Sequence, residues 1–369
     1  MSFTDILNRY DWEDVTASIY AKTKDDVKRA LNKRKRDTED FKALVSPAAA
    51  PFLEQMAAMS KSITQKRFGK TVQMYIPLYL SNKCDNHCIY CGFNKGNKFP
   101  RTVLNEDQIL KEARVIKSYG FEHVLLVTGE APRECGLDYF KRAFELLRPY
   151  FSLISIEVQP METDQYRQLM DMGLHSVYIY QETYNRERYG IYHPKGKKSD
   201  FKYRLETPDR LGKAGVFKTG IGFLIGLENW RTEAFFTALH LSYLEKTYWQ
   251  TKYSISFPRL RPHAGSYQPS HPISDRELLQ LITAYRILDE EVELSLSVRE
   301  SKKFRDNAFQ LGITSISAGS KTDPGGYSNP SSSLKQFEEH DERSPLEFAS
   351  VVRSKGYEPV WKDWDPCLQ

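Results

Sequence analysis

From residue 71 onward the chain alternates short β-branched or aromatic runs with longer amphipathic stretches, and this alternation leaves few folds open. Eight runs read as strands: 71–80, 123–128, 153–158, 176–180, 218–225, 253–257, 292–297 and 314–318. Helix patterns with recognisable ends lie between them. Asn105 precedes 106–118 as an N-cap with Gln108 three positions on, Thr163 opens 164–172, and Ser274 opens 275–290. Gly120, Gly173, Gly215 and Gly312 each fall just past a helical stretch, where a left-handed cap favours glycine. Strands alternating with helices imply parallel pairing through right-handed crossovers. Eight such units over about 250 residues make a (β/α)8 barrel, with a six-unit partial barrel as the alternative if the last two runs are not strands.

Residues 1–70 carry only helical patterns, over 25–35, 38–44 and 51–66, the last with Phe52, Leu53, Met56 and Met59 at helical spacing. Residues 321–369 begin with a Gly/Pro/Ser-rich loop containing DPGGYSNPSSS, continue with a helix expected over 345–355, and end in WKDWDPC. The expected organisation is an N-terminal helical segment (1–70), a barrel (71–320) and a capping tail (321–369).

No apolar run approaches the roughly 20 residues that span a bilayer. Acidic residues in the opening MSFTDILNRYDWEDV stand where an export signal needs bases. The net charge is +5, and the densest basic run, KRALNKRKR at 28–36, reads as a solvated helix face rather than a nucleic-acid platform. Five cysteines, three of them clustered, argue against a disulfide scaffold and for a reducing, cytoplasmic setting.

The cluster is Cys84, Cys88 and Cys91, in KCDNHCIYCGFN. The C-x3-C-x2-C spacing is too tight for disulfides, and thiolates at this density are metal ligands. Three of them leave a coordination position for something else. Zinc, with His87 or a remote residue as fourth ligand, is the competing reading; zinc knuckles use C-x2-C pairs, and no second pair is present. The motif follows the first strand-like run, so it lies on a loop at a strand's C-terminal end, the reactive end of a parallel barrel.

With Tyr90 just before the third thiolate, the loop resembles the signature of the radical S-adenosylmethionine (SAM) enzymes. The resemblance implies a 4Fe–4S cluster on Cys84, Cys88 and Cys91 whose open iron is chelated by SAM, which is reductively cleaved to methionine and a 5′-deoxyadenosyl radical. It implies that Glu130, in Thr128-Gly129-Glu130, meets the SAM amino group, although Thr128 replaces a glycine usual in that turn. It assigns Glu182 to the SAM ribose and Arg204 to the SAM carboxylate, with Arg210 the competing arginine. Tyr90 joins the cofactor site, and Gly222 and Leu224, in the glycine-rich run 220–226, are expected beside adenine.

YQETYNRERYG, SISFPRLRPHAG, SVRES, ISAGSKTDPGGY and YEPVWKDWD resemble the 2-iminoacetate synthases, the radical SAM tyrosine lyases of thiamin-thiazole biosynthesis. The related tyrosine lyases of hydrogenase maturation carry a C-terminal extension with a further cysteine set, which the chain is expected to lack. The resemblance implies cleavage of L-tyrosine at Cα–Cβ to 2-iminoacetate (dehydroglycine) and 4-cresol, begun by loss of a hydrogen from the amino group. Arg299 resembles the anchor of the substrate carboxylate, with Ser317 its hydrogen-bonding companion and Ser315 or Ser320 the alternatives. Arg259 and Arg261 fit either a ligand contact or a loop salt bridge, and no residue claims the role of base for the substrate amine. Thiazole synthase as product acceptor and a flavodoxin-type electron donor are the implied partners. A sibling lyase acting on tryptophan, and a structural metal-binding module, are the competing functions. Cys135 is expected buried and inert, and Cys367 a free surface thiol.

Overall fold

The computed structural model of the chain describes residues 2–329 and 335–362. Ten strands form one all-parallel sheet: β1 (Thr71–Tyr75), β2 (Pro77–Ser81), β3 (His123–Thr128), β4 (Leu153–Glu157), β5 (Leu174–Tyr178), β6 (Lys218–Gly222), β7 (Lys252–Ser256), β8 (Glu293–Leu296), β9 (Ser315–Ser317) and β10 (Glu358–Val360). Its order is β10-β1-β9-β8-β7-β6-β5-β4-β3-β2. Only Ile76 separates β1 from β2, so they are two halves of one strand. The first half pairs with β9 and the second with β3. At the junction Ala318 N donates to Tyr75 O (3.2 Å) and Leu125 N to Ile76 O (3.0 Å). The two edges of the curled sheet thus meet through a single strand, and the eight runs read from the sequence are the eight staves of the barrel.

The differences are local. The fourth stave begins and ends two residues earlier than expected, and β6 stops at Gly222 rather than at 225. The capping boxes at Asn105/Gln108 and Ser274/Glu277 form as the spacing implies. Thr163 is the first helical residue rather than the cap; Glu162 holds the cap position, its N–H donating to the Gln165 side chain at 3.0 Å. β10 was not expected at all. It is three residues long, contains Pro359 and lies at the outer edge of β1, the kind of place where a strand tolerates a residue without an N–H.

The N-terminal helices are part of the same core rather than an appendage. Phe3, Val27, Phe41 and Val45 are buried in one apolar cluster with the strand residues Met74, Ile156 and Ile316. Gln280, on the helix Asp275–Leu288, donates from Nε2 to Leu44 O (2.9 Å) and Ser46 O (2.8 Å), tying that cluster's polar edge to the barrel. The basic run is partly neutralised where it stands: Lys28 pairs with Asp25, Arg29 with Asp26 and Lys33 with Asp40, while Arg36 donates to the Ala30, Leu31 and Ile287 carbonyls. Among the described residues no helix is long and apolar enough to cross a membrane.

Candidate active site

A cavity of about 220 Å³ opens at the C-terminal ends of the strands, and Cys84, Cys88 and Cys91 all line it. The cysteine loop is clamped from three sides by backbone hydrogen bonds. Asp85 N donates to Glu130 O (2.8 Å) beyond β3, His87 N to Lys195 O (2.9 Å), and Gly92 N to Gln336 O (3.2 Å) in the tail. Gly129 shows why a glycine ends β3: a Cβ there would lie 2.3 Å from Lys83 O and 2.9 Å from Cys84 Cβ. The close approach that seats the first cysteine therefore requires the missing side chain.

All three thiols are held protonated by burial, Cys84 up to about 11, with Cys88 and Cys91 also raised. The neighbouring Glu130 and the Cys91 thiol add to the rise at Cys84, so thiolates become stable here only with positive charge supplied among them, as a metal centre does. Among the described residues no three His, Cys, Asp or Glu side chains converge on a single ion. The thiols share a cavity without the focus that a zinc site with His87 demands. On one side Cys88 packs with Tyr90, Leu224, Leu227 and Leu260 in an apolar patch that keeps water from it. Three sulfur donors lining one cavity fit an iron–sulfur cluster.

Beside them lies a buried network of four charges. Arg204 donates from Nη1 to Glu130 Oε1 (2.8 Å) and from Nε to Tyr180 O (2.6 Å), and its Nη2 stands 3.6 Å from Glu182 Oε1. Lys198 donates from Nζ to Glu182 Oε1 (2.7 Å), and Asn86 from Nδ2 to Glu130 Oε2 (2.8 Å). Burial alone would raise the Glu130 carboxyl; Arg204 and Lys198 outweigh it and hold Glu130 below its ordinary value. The network sums to zero charge, and every member faces the cavity. Such a set suits a zwitterionic amino-acid group, whose ammonium and carboxylate can replace the internal partners one for one. Glu182 is held at φ +70°, the one non-glycine residue with positive φ among the described residues, so backbone strain coincides with this position. Tyr90 also faces the cavity, its hydroxyl 2.7 Å from His193 Nε2.

On the opposite wall Arg299 follows β8. Its guanidinium lies 3.4 Å from the centroid of Phe337, a tail residue, and Nη1 donates weakly to Arg259 O (3.3 Å). Ser317 and Ser320 line the same wall; Ser317 Oγ accepts from Val298 N (3.0 Å), whereas Ser320 Oγ and Thr128 Oγ1 are buried with no hydrogen-bond partner among the described residues.

Not every sequence candidate reaches the cavity. Gly222 does not line it: a Cβ there would lie 3.0 Å from Ser256 O and 3.2 Å from the Tyr180 ring, so packing within the barrel accounts for this glycine, while Leu224 does face the space. Arg210 is spent on the carbonyls of Met161 and Tyr203 and is absent from the wall, unlike Arg204. Arg259 and Arg261 both pair with buried Glu300, the loop salt bridge; Arg259 is absent from the wall, whereas Arg261 lines the cavity. Cys135 is fully buried, and Cys367 lies outside the described residues. Sequence reasoning missed Lys198, one of three lysines in PKGKKS with nothing to single it out, and Phe337. It also missed Glu157, although an acid closing the apolar run LISIE was a visible signal.

Residues 78–239 match the radical SAM superfamily, and 256–358 match the biotin and thiamin synthesis associated domain. The 2-iminoacetate synthase of Escherichia coli (strain K12) is 49% identical over 368 residues, covering 100% of this chain and 98% of that one. Among solved structures, HydG, a maturase of the FeFe-hydrogenase, superposes with a TM-score of 0.89 at 28% identity, over 95% of this chain and 80% of its own. Methylornithine synthase (PylB) gives a TM-score of 0.72 at 19% identity, over 91% and 97%, a likeness of fold.

Proposed function

This chain belongs to the 2-iminoacetate synthase family of the radical SAM superfamily, and from that premise we propose that it cleaves L-tyrosine between Cα and Cβ to give 2-iminoacetate and 4-cresol. One observation carries the reading: three thiols, a four-charge cradle and Arg299, which has no ion-pair partner among the described residues, open on the same cavity at the C-terminal mouth of the barrel. Membership of the superfamily implies a 4Fe–4S cluster and SAM, which together supply a 5′-deoxyadenosyl radical when bound. Cys84, Cys88 and Cys91 would hold the cluster as its three protein ligands. Glu130 and Arg204 would take the amino and carboxylate groups of SAM, Glu182 its ribose, and Tyr90 and Leu224 its surroundings. Gly222 contributes only indirectly, by seating Tyr180.

Arg299 would bind the tyrosine carboxylate through its planar fork, which Phe337 holds in orientation by stacking, with Ser317 alongside. The aromatic and apolar wall, including Tyr79, Leu125, Val127 and Phe257, keeps water from the reacting centre. We assign the helical segment to 1–70, the barrel to 71–320 and the cap to 321–369. Because an imine product hydrolyses readily, we further assign thiazole synthase as its acceptor, a flavodoxin-type protein as electron donor, and the cytoplasm as the compartment.

The test is an anaerobic incubation of reconstituted protein with SAM, dithionite and each aromatic amino acid in turn. 4-Cresol with 5′-deoxyadenosine from tyrosine alone is expected; the same products' counterpart from tryptophan instead would move the substrate. Zinc without iron or sulfide in the reconstituted protein would end the radical reading. Cys88→Ala should lose both the cluster and all SAM cleavage.

A further inference from the structure

Three carboxylates line the described cavity, Glu130, Glu157 and Glu182. Two are committed, Glu130 to Arg204 and Asn86, Glu182 to Lys198. Glu157 is different. It is the last residue of β4, half-buried, and among the described residues its carboxylate makes no hydrogen bond and no ion pair. Its electrostatic neighbours come from two sides: Arg299 on the substrate wall, and Glu182, Lys198 and Arg204 of the charge network. The hydroxyls of Tyr75, Tyr79 and Tyr180 also feel it. Glu157 therefore stands between the group that would anchor the substrate carboxylate and the groups that would hold SAM. In an α-amino acid bound that way, this is where the amino nitrogen must lie.

Resting on the tyrosine-lyase reading, we infer that Glu157 is the proton acceptor for the substrate amine. Tyrosine arrives as an ammonium ion, which offers no lone pair to stabilise a radical at nitrogen. One ammonium N–H bond breaks heterolytically, the proton forms an O–H bond on the Glu157 carboxylate, and the electron pair stays on nitrogen. A neutral amine and a neutral carboxylic acid result, with no change of oxidation state. Burial pushes the Glu157 carboxyl up to about 7 against the pull of Arg299. Compared with an ordinary glutamate near 4.3, this favours the transfer by nearly three powers of ten. It also leaves the group ionised in about half the molecules at neutral pH, ready to accept. The product is a buried neutral acid beside a neutral amine, which the low-polarity cavity favours over two charges.

The experiment uses the reconstituted holoenzyme with SAM. In wild type, kcat/KM for tyrosine should fall with unit slope as pH drops below about 7, because the free enzyme needs ionised Glu157. Glu157→Gln should lose that limb, fall at least 30-fold at pH 7 and recover toward pH 9 as the amine deprotonates unaided. Glu157→Asp should keep the limb at a lower rate, and it serves if the glutamine variant does not fold. Calorimetric binding supplies a second readout. Glu157→Gln should weaken tyrosine about tenfold and leave 3-(4-hydroxyphenyl)propionate, which lacks the amine, within twofold of wild type. Equal weakening of both ligands would place Glu157 at the phenol, and an unchanged pH profile would place the proton elsewhere; either overturns the inference. If wild type made no cresol, the tyrosine-lyase reading would fall by itself, and the binding comparison would still decide for or against Glu157.

Discussion

Arg204 Nη1 lies 2.8 Å from Glu130 Oε1, joining side chains that are only 6% and 13% exposed. The pair links the end of β3 to the helix Phe201–Leu205, residues 74 positions apart in the chain. The two side chains satisfy each other's charge within the fold. Removing one partner of a buried pair leaves the other charge uncompensated, at a cost of about 3–5 kcal/mol. Asn86 still donates to Glu130, so Arg204→Ala should lose about 3 kcal/mol in urea unfolding and, after reconstitution, should bind SAM at least tenfold more weakly. Unchanged SAM affinity would move the carboxylate contact to another residue.

Gly129→Ala should disturb the metal site without touching a ligand. Its Cβ would meet the Lys83 carbonyl and Cys84 Cβ, backbone and near-backbone atoms that cannot swing aside. Overpacking of this kind costs about 1–3 kcal/mol. The variant should fold yet retain less iron and acid-labile sulfide per chain than wild type. Wild-type cluster content would show that the loop can yield.

Arg299→Ala should keep SAM binding and the cluster spectrum while weakening tyrosine by at least tenfold, because the guanidinium lies across the cavity from the charge network. Arg299→Lys should rescue little, since an ammonium cannot stack on Phe337 or grip a carboxylate with two donors. A tyrosine KM equal to wild type in both variants would relocate the anchor.

Glu233 predicts a pH effect on stability away from the site. It is 1% exposed, accepts hydrogen bonds from Thr183 Oγ1 and Tyr184 N, and burial pushes its carboxyl up to about 8. The folded state therefore binds a proton that the unfolded state releases above about 4.5. Stability from this group is full below about 4.5 and declines as pH rises toward 8. Glu233→Gln cannot ionise, so its melting temperature should match wild type near pH 5 and exceed it near pH 8.5. A difference independent of pH would show that Glu233 is already charged in the fold.

Much of this protein could be read in one dimension. The eight staves are local patterns of apolar residues, and each parallel strand is separated from the next by a stretch long enough to cross over, so the barrel follows from periodicity. The thiols lie within eight residues of one another, and Arg204, Glu182 and Arg299 stood in motifs that a resemblance could point to. Where local signals were weak the reading slipped. β10 is held by pairing to β1, not by its own propensity, and Glu162 displaces Thr163 as a cap through a bond to Gln165.

What the sequence by itself determined was the order of strands and helices, the clustering of three thiols in the Cys84–Cys91 loop and the family. Only the tertiary structure decided which charges share a cavity. Lys198 looks like its lysine neighbours until the loop after Tyr192 folds it onto Glu182, and Arg210 looks like Arg204 until its donors are taken up by carbonyls. Glu157 was one acid in an apolar strand until closure of the barrel set it facing the cavity with no hydrogen-bond or ion-pair partner among the described residues. The reason is physical: coordination and strand periodicity are properties of near neighbours in the chain. The ionisation and pairing of a buried charge depend instead on distances to groups scores of residues away and on how much water the fold leaves between them.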